Sequence, residues 1–76
     1  MSKAFREKDL VALAKRFRKK AGIKRAQAAR DMGVSQTSIF HAEETPEQAL
    51  LKLRVRMIEA YSPYKVTDAF FYLKRK

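Results

Sequence analysis

A single glycine, Gly33, limits how this chain can fold more than any other residue, because it separates two short segments with helical patterning. Glycine readily adopts the left-handed conformation that a sharp turn between helices requires. Before it, the small Ala29 allows two helices to approach closely. After it, Val34 and Ile39 are placed to fill the inside of the corner. Residues 25–41 therefore predict two short helices that meet at a turn.

The length and composition of the chain limit the number of domains and the kinds of site that it can form. The chain has 76 residues and is expected to be one domain, residues 1–76, with its core at about 7–61 and a tail at 62–76. A core this small is marginal alone, and a homodimer is a common way to bury more surface. The chain lacks cysteine and has one histidine. We therefore expect no disulfide, no metal site and no cofactor.

The charge balance points to a polyanionic partner. Eighteen Lys and Arg against eight Asp and Glu give a net charge of +10. Such a surplus suits DNA, RNA or an anionic surface. No apolar run approaches the ~18 residues of a membrane span, and the N-terminal residues lack the apolar core of a signal peptide. We therefore expect a cytoplasmic protein that has no membrane partner.

Apolar spacing predicts three helices in the first 44 residues. The first is expected at about 7–21, ended by Gly22 as a left-handed cap. The second is expected at 25–32. The third is expected at 35–44, with the Ser35 hydroxyl capping the amide of Ser38. The apolar stripe of the first helix comprises Leu10, Leu13, Ala14, Phe17 and Ala21.

The fourth helix carries the clearest start signal in the sequence. Thr45-Pro46-Glu47-Gln48 has the pattern of a capping box with proline at the first helical position. The helix is expected to continue to about Tyr61, where Ser62-Pro63 ends it.

The tail has two alternative structures. Aromatic and β-branched residues favour a short hairpin from Tyr64–Val66 into Ala69–Lys74, with a turn at Thr67-Asp68. The alternative is a fifth helix capped by one of those two turn residues. The tail aromatics would either dock on the domain or form a dimer contact; they are Tyr64, Phe70, Phe71 and Tyr72. The expected fold is therefore mainly α, with four helices and a C-terminal strand or hairpin.

The spacing of Ala29, Gly33 and Ile39, together with the run Gly33-Val34-Ser35, resembles the Cro and phage-repressor-like helix-turn-helix family, also called the xenobiotic-response-element type. The resemblance covers roughly residues 10–61. It implies a four-helix domain like that of lambda repressor, and a sequence-specific regulator of transcription. A Cro-like repressor of this kind acts as a dimer on double-stranded DNA.

The resemblance also implies residue roles. Arg18, four residues before Gly22, and Glu43 would form a partly buried ion pair. Base contacts would come from the recognition helix, at Gln36, Thr37, Phe40 and His41. Phosphate contacts would come from Lys24, Arg25, Gln27, Arg30 and Ser38. Further candidates for phosphate contact, which the sequence does not place, are Arg54, Arg56, Lys74, Arg75 and Lys76.

This chain departs from the family pattern at two places. Lys24-Arg25 stands where the family usually has Thr-Gln, which exchanges neutral phosphate donors for charged ones. The loop after the recognition helix contains Glu44, whose charge would repel a phosphate.

Other functions are weighed against DNA binding. The sequence shows no Ser–His–acid spacing, metal-ligand cluster or phosphate loop, so we expect neither an enzyme nor a small-molecule substrate. The stronger alternative is an antitoxin-like regulator or another protein-interaction module that uses the same fold.

Overall fold

The computed structural model describes residues 5–67 and 73–76, and in these the chain forms four helices followed by a small antiparallel sheet. The helices precede both strands in the sequence. This confirms the mainly α fold with a C-terminal hairpin. The elements are α1 (Glu7–Lys20), α2 (Arg25–Met32), α3 (Gln36–Glu44), α4 (Leu51–Ala60), β1 (Tyr64–Val66) and β2 (Leu73–Arg75).

Gly22 ends α1 in the left-handed conformation, as predicted, with φ of 75°. The amide of Gly22 donates to the Lys19 carbonyl at 3.0 Å, and the amide of Ile23 donates to the Arg18 carbonyl at 3.1 Å. This pair of bonds is a Schellman motif, which satisfies carbonyls that the helix itself leaves unbonded. The helix ends at Lys20, so Ala21 is exposed and lies outside the buried stripe.

The predicted turn between α2 and α3 is present at Gly33, where φ is 69° and ψ is 35°. The Val34 amide closes the turn by donating to the Ala29 carbonyl at 3.0 Å. The Ser35 hydroxyl then caps α3 by accepting from the Ser38 amide at 3.1 Å. Ala29 and Ile39 are buried behind the turn. The direction of α3 is therefore set by the turn at Gly33, the cap at Ser35 and the packing of Ala29 and Ile39 behind the turn.

We expect Gly33→Ala to lower the free energy of unfolding by about 1 to 2 kcal/mol. A Cβ placed on Gly33 would meet nothing within 4 Å, so the cost comes from the left-handed backbone and not from a clash. Gly33→Asn should cost less, because asparagine tolerates this conformation better. Urea denaturation measures both variants. A loss well above 3 kcal/mol for Gly33→Ala would show that the position is limited by packing.

The predicted start of the fourth helix is wrong. Residues 45–48 form a turn in which the Gln48 amide donates to the Thr45 carbonyl at 3.1 Å, and α4 begins at Leu51. The reason is Arg54, whose side chain is fully buried and donates to the carbonyls of Thr45 at 2.8 Å and Gln48 at 2.9 Å. A helix that began at Pro46 would use these carbonyls for its own ladder.

The core lies mainly between α1 and α4, with α2 and α3 packed against it. Its fully buried apolar side chains are Leu10, Ala14, Ala28, Ile39, Ala42, Met57 and Ile58. Arg18 is buried as well, in the same i, i+4 row as Leu10 and Ala14. A charged side chain on that row has to find its partners inside the protein.

The hairpin packs on α4 through β1, and Val66 joins the core. Tyr64 pairs with Arg75, Lys65 with Lys74, and Val66 with Leu73. A two-residue turn at Thr67-Asp68 would pair Val66 with Ala69, and the observed pairing of Val66 with Leu73 differs from that register. The predicted turn residue Asp68 and the predicted strand start Ala69 lie outside the described residues, as do Phe70, Phe71 and Tyr72.

Candidate nucleic-acid interface

The first two turns of α3 present an exposed face. Gln36 and Thr37 are exposed, and Phe40 is the exposed large hydrophobic residue of the described chain, at 45%. Residues three and four apart lie on one side of a helix, so Phe40 shares a face with both Thr37 and Gln36. Three of the four predicted base-contacting residues are therefore accessible together.

The fourth, His41, is less accessible. It is half-buried, and its Nδ1 lies 3.0 Å from the Thr45 hydroxyl. Its ring also meets Phe40 edge-on, with centroids 5.5 Å apart and planes at 74°. His41 is thus positioned by the end of α3 and flanks the exposed face.

The structure brings Arg18 and Glu43 together across α1 and α3. Arg18 bonds Glu43 through Nε, and through Nη2 to Oε1 at 3.0 Å, while its Nη1 donates to the Ile23 carbonyl at 2.7 Å. The Glu43 side chain has no exposed surface. Arg25 joins the pair by donating from Nε to Glu43 Oε1 at 3.0 Å. These contacts hold α1 and α2 against the C-terminal end of α3.

Glu44 extends this network to the surface. It accepts from Lys15 Nζ at 2.5 Å and from Arg25 Nη2 at 2.9 Å. The hydrogen bond from Lys15 is the main reason that the pKa of Glu44 lies below its ordinary value, and Arg25 lowers this pKa further. Two carboxylates are thus shared by three cations, Lys15, Arg18 and Arg25. Glu44 therefore does not present an uncompensated negative charge beside α3.

Arg25 has a different setting from the one that the sequence suggested. Arg25 donates to the carboxylates of Glu43 and Glu44. Its Cζ also lies 5.2 Å from the centroid of the Phe40 ring, which is a cation–π contact. About a third of the Arg25 side chain stays exposed. A phosphate contact by Arg25 remains a prediction, and the carboxylates would compete for the same guanidinium.

The other residues predicted to contact phosphate differ in how many hydrogen bonds their side chains already make within the protein. Lys24 is exposed at the N-cap of α2, where no side chain caps the helix. Arg30 is exposed but donates to Gln27 at 2.8 Å. Gln27 donates in turn to Asp31 at 2.7 Å. The Ser38 hydroxyl lies 3.0 Å from the Ser35 hydroxyl.

Asp31 links this surface to α4. Its carboxylate accepts from the Tyr61 hydroxyl at 2.7 Å. That bond is the main cause of the lowered pKa of Asp31, with Gln27 contributing second. Burial, followed by the Asp31 bond, raises the pKa of Tyr61. The neutral phenol and the ionised carboxylate are therefore the favoured pair around neutral pH.

The five cations that the sequence does not place have three different settings. Arg54 was a candidate for phosphate contact, and this is wrong, because it is fully buried and donates to backbone carbonyls. Arg56 is exposed on α4. The three C-terminal cations belong to the hairpin: Lys74 faces Lys65, Arg75 stacks on Tyr64 at 5.8 Å, and Lys76 donates to the Ser62 carbonyl at 3.2 Å.

Sequence reasoning missed Arg54, although a signal was present. Leu50, Arg54 and Ile58 fall four residues apart, so Arg54 lies in the apolar row of α4. Its guanidinium donates to the carbonyls of His41 at 3.4 Å and Ala42 at 2.9 Å, in addition to those in the following turn. Arg54 therefore caps the C-terminal end of α3 by donating to its carbonyls, as Ser35 caps the N-terminal end by accepting from an amide.

Neither a membrane span nor a metal site is found in the part of the chain that the structure describes. No helix there combines the length and apolar character needed to cross a bilayer. No three His, Asp or Glu side chains there are grouped as metal ligands. Comparison with protein-family models, curated proteins and solved structures finds no match to this chain.

Proposed function

We propose that this protein binds double-stranded DNA sequence-selectively, as a Cro-like regulator of transcription, by placing α3 in the major groove. The observation that carries the proposal is the exposed face of Gln36, Thr37 and Phe40 on a helix fixed at both ends. The net charge of +10 supplies the attraction to a polyanion.

The chemistry of this face suits base edges. The Gln36 amide can donate to and accept from adenine N7 and N6 in a bidentate pair. Thr37 offers a hydroxyl to either kind of base-edge group and a methyl to thymine. Phe40 offers apolar contact to a thymine methyl group. A helix that carries these groups on its first two turns can read a few adjacent base pairs.

The start of α2 is the best-supported phosphate contact. The first turn of α2 contains no acidic residue, and its N-cap Lys24 provides no side-chain cap, so backbone amides at this end can donate hydrogen bonds to a bound anion. Lys24 adds an exposed positive charge there. Because Glu44 is held by Lys15 and Arg25, its repulsion of a nearby phosphate is reduced.

A homodimer completes the proposal. Two copies related by a two-fold axis would read two half-sites about 34 Å apart, and the bound site would be a near-palindrome. Selection of bound sequences from random duplexes tests DNA binding, half-site symmetry and spacing together. Recovery of an unenriched pool at moderate salt would exclude a sequence-specific regulator.

We expect Gln36→Ala to weaken binding to the selected site by about 10- to 100-fold, the value of one bidentate base contact. Binding to random duplex should change little, because that binding depends on phosphates. Gln48→Ala is the matched control, since Gln48 is an exposed glutamine in the turn after α3. Fluorescence anisotropy with labelled duplexes measures all three proteins. Equal losses on selected and random DNA would contradict a base-reading role for Gln36.

A further inference from the structure

A groove lies between α1 and the hairpin, with a volume of about 590 Å³. Its apolar floor includes Leu13 and Phe17 from α1 and Tyr64 and Leu73 from the hairpin. The rings of Phe17 and Tyr64 pack together with centroids 5.9 Å apart. All four side chains remain partly exposed. The floor of the groove therefore offers apolar contact to a side chain that enters it.

The rim of the groove is basic. Arg16 and Lys20 border it on α1, and Arg75 borders it on β2. All three are exposed. Among the described residues that line the groove, none is acidic. The rim therefore presents positive charge that no carboxylate among the described lining residues offsets, in contrast to the Lys15, Arg18 and Arg25 cluster.

The groove is separate from the proposed DNA-binding face. Its described lining comes from residues at or near α1, the end of α4 and the hairpin, with no contribution from α2 or α3. A ligand in the groove and a duplex on α3 would thus contact different residues. Binding of a partner in the groove does not require DNA on α3.

We propose that this groove binds an acidic amphipathic helix of a partner protein. The apolar floor takes the apolar stripe of such a helix, as in other helix-in-groove complexes. Arg16 and Lys20 are four residues apart on α1, a rise of about 6 Å. Carboxylates one turn apart on the partner helix have the same spacing and can meet both cations. Arg75 meets acidic residues on the other flank of the stripe.

The charge argues against a second copy of this chain as the occupant. A second copy docked groove to groove would bring the same basic rim of Arg16, Lys20 and Arg75. Like charges brought together at an interface oppose association. A partner with acidic flanks gains attraction from the same residues.

A designed peptide tests the proposal. The probe is a helical peptide of about 18 residues, long enough to be helical when bound, with leucines along one stripe and glutamates on both flanks. The control peptide has lysine at every glutamate position. Isothermal titration calorimetry at about 0.1 M salt should detect binding of the acidic peptide, and binding of the lysine peptide should be at least about tenfold weaker. Equal binding of the two peptides would overturn the proposed charge recognition.

Two charge-reversal variants locate the site. Arg16→Glu/Lys20→Glu should weaken binding of the acidic peptide by at least about tenfold. Lys8→Glu/Lys19→Glu is the matched control, because it makes the same charge change on α1 at residues that do not line the groove. Circular dichroism verifies that both variants fold.

Three results would contradict the proposal. One is an equal loss of peptide binding in both variants, which would indicate attraction to net charge alone. Another is concentration-dependent self-association that the groove variant abolishes and the control keeps, which would assign the groove to a second copy. The third is a loss of DNA binding by the groove variant that exceeds the loss in the control, which would assign the basic rim to DNA.

Discussion

Arg54→Met is expected to lower the free energy of unfolding by about 3 kcal/mol. The substitution removes the hydrogen bonds that Arg54 donates to four backbone carbonyls, those of His41, Ala42, Thr45 and Gln48. Backbone amides also donate to the carbonyls of His41, Thr45 and Gln48, so the largest cost is expected at Ala42. A buried carbonyl left without a donor costs about 1 to 3 kcal/mol and each other lost hydrogen bond about 1 kcal/mol, and part of the total is recovered because a buried charge is removed. For a domain of this size the melting temperature should fall by about 10 to 25 °C.

Arg56→Met is the matched control for this prediction. It makes the same chemical change two residues further along α4, at an exposed side chain. A surface substitution of this kind should alter stability by about 0.5 kcal/mol or less. Thermal unfolding followed by circular dichroism measures both variants. If Arg54→Met unfolded at the wild-type temperature, the turn at 45–48 would not depend on the guanidinium.

Arg54→Lys separates charge from geometry. An ammonium group keeps the positive charge but brings its three donors to one point, whereas a guanidinium has five donors in a planar fork. Burial already lowers the pKa of Arg54, and a buried lysine loses its proton far more readily than an arginine. We expect a stability between those of wild type and Arg54→Met. A stability equal to wild type would show that positive charge alone is required.

Glu43→Gln is expected to cost about 3 to 5 kcal/mol, because it leaves the buried Arg18 without its carboxylate. The same change removes the buried partner of Arg25. Glu44→Gln is the control, since it also removes one carboxylate from the network but at an exposed position. We expect Glu44→Gln to have a much smaller effect, measured by urea denaturation of both variants.

A double substitution shows whether the buried charge causes the loss. Arg18→Met/Glu43→Met removes both members of the pair and leaves Arg25 its bond to Glu44. Replacing a buried ion pair by apolar residues of similar size is often neutral or stabilising. The double variant should therefore recover most of the stability that Glu43→Gln loses. If the double variant is as unstable as Glu43→Gln, the loss of stability comes from the packing and hydrogen bonds of the two side chains and not from an unpaired buried charge on Arg18.

The helix ends that rest on neighbouring residues were predictable from the sequence. Gly22 and Gly33 have the left-handed conformation that their positions predict, and Ser35 caps α3 as its position predicts. These signals act within a few residues, so that a local pattern contains all of the interaction. The hairpin at Tyr64–Val66 was favoured for a similar reason, because strand propensity and the preceding Ser-Pro are local.

The features that were not predicted depend on contacts between distant residues. The capping-box pattern at Thr45–Gln48 is overridden by bonds to Arg54, which is six to nine residues away. Arg25 turns toward Glu43 and Glu44, eighteen and nineteen residues later. The strand register was also beyond local reasoning, since Val66 pairs with Leu73. The resemblance predicted that Arg18 and Glu43 meet, but it did not predict that Arg25 joins them.

The exposed face of α3 is the part of the site where prediction and structure support each other most closely. Gln36, Thr37 and Phe40 are accessible on one face. Of the predicted phosphate contacts, Lys24 is the one whose setting best suits that role, because it lies exposed at an uncapped helix end. The base and phosphate contacts themselves follow from the resemblance and stay predictions.

Phe40 has a consequence for the entropy of binding. Its ring lies near the Arg25 guanidinium on one side and against the edge of His41 on another, and both neighbours are anchored by their own hydrogen bonds. Immobilising a mobile side chain at an interface costs about 0.5 to 1.5 kcal/mol of rotamer entropy. A side chain that is already restrained loses less when a partner covers it. The exposed Phe40 ring is thus preorganised, which favours a higher affinity for the surface that covers it.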